Sequence, residues 1–242
     1  MTDEVIWAKP FASGHTRAQW ARYLLATCIA MDFVAVGAGY MNIELFSRIA
    51  AGEDVTREEI FTIAVLQLGT MLLRFFVFLA TVVLFLRWLH RAYSNLPALG
   101  VRHPEYSPRW AVGCFFVPYI NLVRPYQIVG EIWRAGEPDS VEDDATQFHF
   151  IQARSRSTPL IVKAWWRLYI AAGVAGYLAW CLSWGGNNSA ADLVALNWII
   201  EAAYFFNLLA AILAILVIKN IDQMQEEKHQ RLLAASAQLN FE

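Results

Sequence analysis

A chain of 242 residues that is 57% hydrophobic and only 17% charged, with ten tryptophans and a mean hydropathy of +0.38, does not have the composition of a water-soluble domain. The net charge of −2 offers nothing to a nucleic-acid partner. The three cysteines, Cys28, Cys114 and Cys181, all fall in apolar stretches without metal-ligand spacing, and read as small buried hydrophobes.

Residues 1–20 are polar with scattered aromatics and read as an interfacial arm. No cleavable signal peptide is visible, because the first apolar run is too long for one. That run, 23–41, is the first expected span and a retained signal anchor. Cys28, Asp32, Ala35 and Gly39 recur along it at helical spacing, giving one face small side chains and a carboxylate. Small residues let helices approach closely in lipid, so this face should meet another helix. Residues 42–59 form an acidic connection. The second expected span, 60–86, is interrupted by one charge, Arg74, and carries Gln67, Thr70 and Thr81 on the same stripe.

The stretch 87–135 is too polar and too proline-interrupted to span, yet too aromatic for an ordinary loop. Within it Trp110–Val123 is shorter than a bilayer requires and contains Pro118. Residues 136–159 read as a soluble linker, acidic in its first half and basic in its second. Two further spans follow, 160–184 with Ala172 and Gly176 as a pair of small residues, and 193–218, joined by a tight polar turn. Residues 219–242 continue as a polar helix beyond the membrane.

Counting charges decides how often the chain crosses. If the central stretch returns to the side it came from, there are four spans. Of the 19 Lys and Arg, only Arg48 and Arg57 then lie outside and Arg74 is buried, with the remainder cytoplasmic. If it spans, Arg124, Arg134, Arg154, Arg156, Lys163 and Arg167 move outside, and so do Lys219, Lys228 and Arg231. The expected architecture is therefore all-α: an integral membrane four-helix bundle forming a single domain over 1–242. Both termini are cytoplasmic, and a central helical hairpin, re-entrant or interfacial, lies on the cytoplasmic side.

The run RWLHRAYSNLPALG, followed by SPRWAVGCFFVPYINLVRPYQIVGEIWRA, resembles the bacterial membrane-protein family DUF4328, a domain of unknown function. The resemblance covers 87–135 closely, while the flanking spans agree in number and placement. It implies a multi-pass protein of the bacterial cytoplasmic (inner) membrane. It implies no activity, and carries over no catalytic or ligand-binding residue.

Ionisable side chains inside a membrane are functional candidates by default. Asp32 and Arg74 fall at similar depth on adjacent helices and suit an ion pair, either structural or part of a proton, ion or substrate path. Glu201 shares an arc with Asn197, Tyr204 and Asn207, which reads as a polar cavity or as a packing seam. On the cytoplasmic side Arg87, Arg91, Trp110, Tyr119, Asn121, Arg124, Tyr126 and Trp133 combine the aromatic and basic chemistry that suits headgroups. No nucleophile elbow, phosphate-cradling glycine loop, HExxH or CxxC motif occurs, so an enzyme is disfavoured and neither metal nor cofactor is expected. The leading expectation is a non-enzymatic scaffold or accessory subunit. It would bind anionic lipid headgroups, and another membrane protein or itself, through that face. The alternative is a small channel or transporter with a polar path through Asp32, Arg74 and Glu201.

Overall fold

The computed structural model describes residues 9–137, 158–185 and 189–239. The expected linker 136–159 lies almost wholly outside the described residues, as do residues 1–8 of the N-terminal arm and 186–188 of the last turn. Among the described residues every regular element is helical.

Helix α1 runs His15–Ala50 and α2 Arg57–Ser94. Both extend well past the apolar stretches that announce them, so the connection between them shrinks from the expected 42–59 to a few residues. Hydropathy reports the solvent around a helix, whereas the backbone continues until a cap stops it. The cap of α1 is Gly52, in the left-handed region at φ +78°. Its N–H donates to the Ile49 carbonyl and that of Glu53 to Arg48, each at 3.1 Å, which is a Schellman closure. Thr56 then starts α2, its hydroxyl accepting from the Glu59 N–H at 3.2 Å, with Glu58 and Glu59 favourably placed in the first turn.

After α2 a 3-10 turn at Pro97–Leu99 closes on Gly100, at φ +91°. Helix α3 is Pro108–Gly113, with Ser107 accepting from the Trp110 N–H. Two 3-10 turns, Cys114–Phe116 and Ile120–Leu122, lead to α4, Arg124–Gly136, which has proline in its first turn. Helix α5 is Leu160–Ser183. Helix α6 is Ala190–Leu239, 50 residues long and unbroken through its polar extension. Its start is a reciprocal cap: Ser189 and Asp192 each donate a backbone N–H to the other's side chain, at 2.9 and 3.2 Å.

The chain forms two compact units. One comprises Met1–Arg22, Val82–Lys163 and Ile215–Glu242, the other Tyr23–Thr81 and Ala164–Ala214. The first unit has an apolar core. Trp88, Leu89, Leu96, Leu99, Ile128, Val129, Ile132, Ile218 and Ile221 are all buried. In α4 the buried Ile128, Ile132 and Gly136 recur every fourth residue, with Arg124, Gln127, Glu131 and Arg134 beside them at the edge. Two glycines bring α4 close to its neighbours. A Cβ at Gly130 would meet Thr158 at 2.8 Å, and one at Gly136 would meet Met224 at 3.0 Å. Buried polar side chains tie the unit together. Asn95 donates to the Ala12 carbonyl at 3.1 Å and accepts from its N–H at 3.3 Å. Gln225 donates to the Ala92 carbonyl at 2.9 Å and Lys228 to that of Ala135 at 2.8 Å.

The second unit reverses this pattern. Phe33, Phe61, Met71, Phe76, Val174 and Phe205 are exposed, while Asp32, Thr81 and Asn197 are buried. A water-soluble protein does not expose apolar surface on this scale. Among the described residues three helices, α1, α2 and α6, are long and apolar enough to cross a membrane. Helix α5, with 24 residues, carries Lys163, Arg167 and three tryptophans and is not among those three.

Candidate functional site

The buried face of α1 carries Asp32, Ala35, Ala38 and Gly39. The small residues leave room for side chains from α2 and α6 to reach the carboxylate. Arg74, mid-way along α2, donates its Nε to Asp32 Oδ1 at 2.7 Å. Asn207 on α6 donates Nδ2 to Oδ2 at 2.8 Å. Tyr204, one turn earlier on α6, lies under the Arg74 guanidinium at 4.4 Å from its ring centroid, within cation–π range. One turn from Asp32, Cys28 and Thr81 are in contact at 3.2 Å, and the Thr81 hydroxyl also meets the Val77 carbonyl at 2.8 Å. Each oxygen of Asp32 therefore has a donor, one of them charged, and its side chain is sealed from solvent.

Glu201 and Asn197 do not join this cluster. Asn197 turns back on its own helix, donating to the Leu193 carbonyl at 2.8 Å. Glu201 lies over Gly39, so close that a Cβ there would stand 1.8 Å from Oε1. Both of its carboxyl oxygens are buried and have no hydrogen-bond partner. At Gly176, by contrast, a Cβ would meet nothing within 4 Å, so its small side chain serves no close approach. The second unit also holds a cleft of about 420 Å³ between Met41, Glu44, Leu45 and Arg48 of α1 and Glu59 and Ile63 of α2. Arg48 bonds Glu53 and Glu59 beside it. Neither Asp32 nor Arg74 lines the cleft.

In the first unit the aromatic and basic candidates separate into two groups. Arg87, Trp110 and Tyr119 are exposed, and Tyr119, at φ +64°, is 85% exposed. Phe116, Leu122 and Val123 are exposed with it, forming an apolar edge between α3 and α4. Asn121, Tyr126 and Trp133 are half-buried. Arg91 and Arg124 are engaged within the unit. Arg91 donates to the Ala12 carbonyl at 2.9 Å. Arg124 donates to Gln127 Oε1 at 3.0 Å and to the Tyr106 hydroxyl, with Glu105 at 3.7 Å. The positive charges of Lys9, Arg17, Arg91 and Arg109 all act on His90.

A network centred on Tyr93 and Glu131, with no counterpart among the candidates visible in the sequence, lies within the first unit. The Tyr93 hydroxyl donates to Glu131 Oε2 at 2.8 Å and accepts the Tyr106 N–H at 2.8 Å. Glu131 Oε1 accepts the Glu105 N–H at 2.9 Å. Burial pushes the Glu131 carboxyl above its ordinary value, against the opposing pull of those donors. Burial and the adjacent Glu105 push the Tyr106 phenol up to about 12. The available signal was an acid between Ile128 and Ile132, on the boundary of an apolar face. The network ties α2, the 105–106 segment and α4 together and has the character of a structural brace. Among the described residues no group of His, Cys, Asp and Glu could hold a metal.

An all-α chain with three helices fit to cross a membrane, a polar seam inside and apolar side chains outside, is of the membrane-protein class. The chain belongs to the family described as a domain of unknown function, DUF4328, whose model matches residues 51–223. No curated protein and no solved structure matches it.

Proposed function

We propose that the protein is a non-enzymatic scaffold or accessory subunit of a bacterial inner membrane. In this reading α5 is a fourth span, the central stretch returns to the cytoplasmic side, and both termini are cytoplasmic. Anionic lipid headgroups are recognised by the basic and aromatic side chains of the first unit. Two features of the first unit support the reading: the exposed apolar edge of Phe116, Tyr119, Leu122 and Val123, and the gathering of positive charge from Lys9, Arg17, Arg91 and Arg109 around His90. Aromatic and aliphatic side chains favour the headgroup boundary, and clustered Lys and Arg favour anionic lipid. The apolar face of α4 is already buried in the first unit's own core, which favours an interfacial central stretch over a re-entrant one.

The test is thermal unfolding of the purified full chain with added phosphatidylglycerol or phosphatidylcholine. The expected result is greater stabilisation by the anionic lipid, with the difference lost in Arg87→Gln/Arg109→Gln. Equal stabilisation by both lipids would reject the proposal.

Transport along Asp32, Arg74 and Glu201 is the second reading, and the unpartnered Glu201 is the observation in its favour. The Asp32 carboxylate, sealed from solvent and held by donors on both oxygens, speaks against it. Flux in reconstituted vesicles that is unchanged by both Glu201→Gln and Arg74→Gln would reject these residues as a path.

A further inference from the structure

We propose that Glu201 is a proton-binding site, a carboxyl held in its neutral form between α1 and α6 with Gly39 as its seat. The inference rests on the second unit being embedded in the bilayer, and is independent of what the first unit recognises.

The contrast with Asp32 carries the argument. An ionised carboxylate only accepts hydrogen bonds and needs several donors when it is buried. Asp32 has them: the Arg74 guanidinium on one oxygen and the Asn207 amide on the other. Glu201 has none on either oxygen. Two acids in one seam are thus placed in opposite environments, an arrangement that drives their protonation states apart. Asp32 is bonded on both oxygens, and Glu201 on neither.

Gly39 is what makes this seat possible. Any larger residue would put its Cβ where Glu201 Oε1 now lies. Packing, not hydrogen bonding, holds the carboxyl in place, as suits a group without charge. Within the second unit the charged and titratable groups of the surrounding helices are Tyr23, Cys28, Asp32, Tyr40, Glu44 and Arg48 on α1, Arg57, Glu58, Glu59 and Arg74 on α2, and Asp192 and Tyr204 on α6. Arg167, Tyr169, Tyr177 and Cys181 lie on the α5 segment of the same unit. None of them bonds Glu201. Arg74 is the sole guanidinium engaged with the seam, and Asp32 holds it. Loss of the proton therefore leaves Glu201 two outcomes: to compete with Asp32 for Arg74, or to leave its seat over Gly39. Either one changes the contact between α1 and α6, so the site couples protonation to helix packing.

The test is an infrared pH titration of the full chain in phospholipid vesicles, comparing wild type with Glu201→Gln and Asp32→Asn/Arg74→Gln, which removes the other carboxyl together with the guanidinium it holds. A neutral-carboxyl C=O band should be present at neutral pH in wild type, retained in Asp32→Asn/Arg74→Gln and absent from Glu201→Gln. Glu201→Gln replaces the neutral acid by an isostere and should keep the helix content and thermal stability of the wild type. Equal carboxyl bands in wild type and Glu201→Gln would overturn the proposal. So would loss of the band in Asp32→Asn/Arg74→Gln, or failure of Glu201→Gln to fold, since a neutral, unbonded acid tolerates the amide.

Discussion

Removing Arg74 while leaving Asp32 in place is the sharpest perturbation of the polar seam. In Arg74→Gln the buried carboxylate keeps Asn207 and loses its charged partner. Breaking a buried ion pair from one side costs about 3–5 kcal/mol, because the remaining charge is uncompensated. The Arg74 side chain is 30% exposed and that of Asp32 1%, which places the cost toward the lower end, about 3 kcal/mol. An ordinary hydrogen bond between membrane helices is worth only about 0.6 kcal/mol, so the two cases separate clearly. Asp32→Asn should also destabilise, by less, because the guanidinium keeps its contact with Tyr204. The double variant Asp32→Asn/Arg74→Gln removes both charges and should recover most of the loss. The assay is reversible unfolding of the full chain in mixed micelles by titration with a denaturing detergent, run as a double-mutant cycle. A coupling energy of about 2 kcal/mol or more is expected. Strictly additive single variants would refute the account of the pair.

Three further outcomes follow from specific contacts. Gly39→Ala puts a Cβ where Glu201 Oε1 lies, at the far end of a flexible side chain, so the carboxyl must swing off its seat and its infrared C=O band should shift from that of the wild type. An unchanged band would show that Glu201 does not sit over Gly39. Glu131, raised by burial above 4.5, favours its protonated form in the folded first unit. Its contribution is complete below the ordinary carboxylate range and is lost as pH rises through the raised value, so stability should fall across that window in wild type and stay flat in Glu131→Gln. Thermal melts at a series of pH values check this, and parallel curves would count against it. Burial pushes the Cys114 thiol up to about 11, so maleimide should modify it in the folded protein far more slowly than after unfolding, as read by mass spectrometry. Equal rates in the two states would place Cys114 outside the core.

Helical class, the family signature at 87–135 and the Asp32–Arg74 contact were legible because each rests on a local rule. Apolar stretches of bilayer length, a proline-broken aromatic run, and two charges at matching depth on neighbouring helices can all be read without coordinates. Helix ends were not legible from hydropathy. α1 and α2 continue into polar sequence until Gly52 and Thr56 set a cap, so the acidic 42–59 loop proved largely helical. Asn207 and Tyr204 were visible as members of a polar arc. Only tertiary packing sends Asn207 and Tyr204 to the ion pair, turns Asn197 back on its own backbone and leaves Glu201 alone. The Tyr93–Glu131–Glu105 network escaped notice because its members are far apart in sequence and individually ordinary. Nothing short of the folded contact joins an α2 phenol to an α4 carboxylate.

Both the proposed headgroup face and the polar seam depend on how the chain threads the bilayer. Single-cysteine variants at Asp54, Arg109, Ser189 and Gln238, in a background lacking Cys28, Cys114 and Cys181, can be labelled with a membrane-impermeant maleimide before and after the cytoplasmic side is opened. Asp54→Cys and Ser189→Cys should react in sealed cells, and Arg109→Cys and Gln238→Cys only once the membrane is permeabilised. Labelling of Arg109→Cys and Ser189→Cys from the same side would show that α5 does not cross, and would contradict the four-span arrangement.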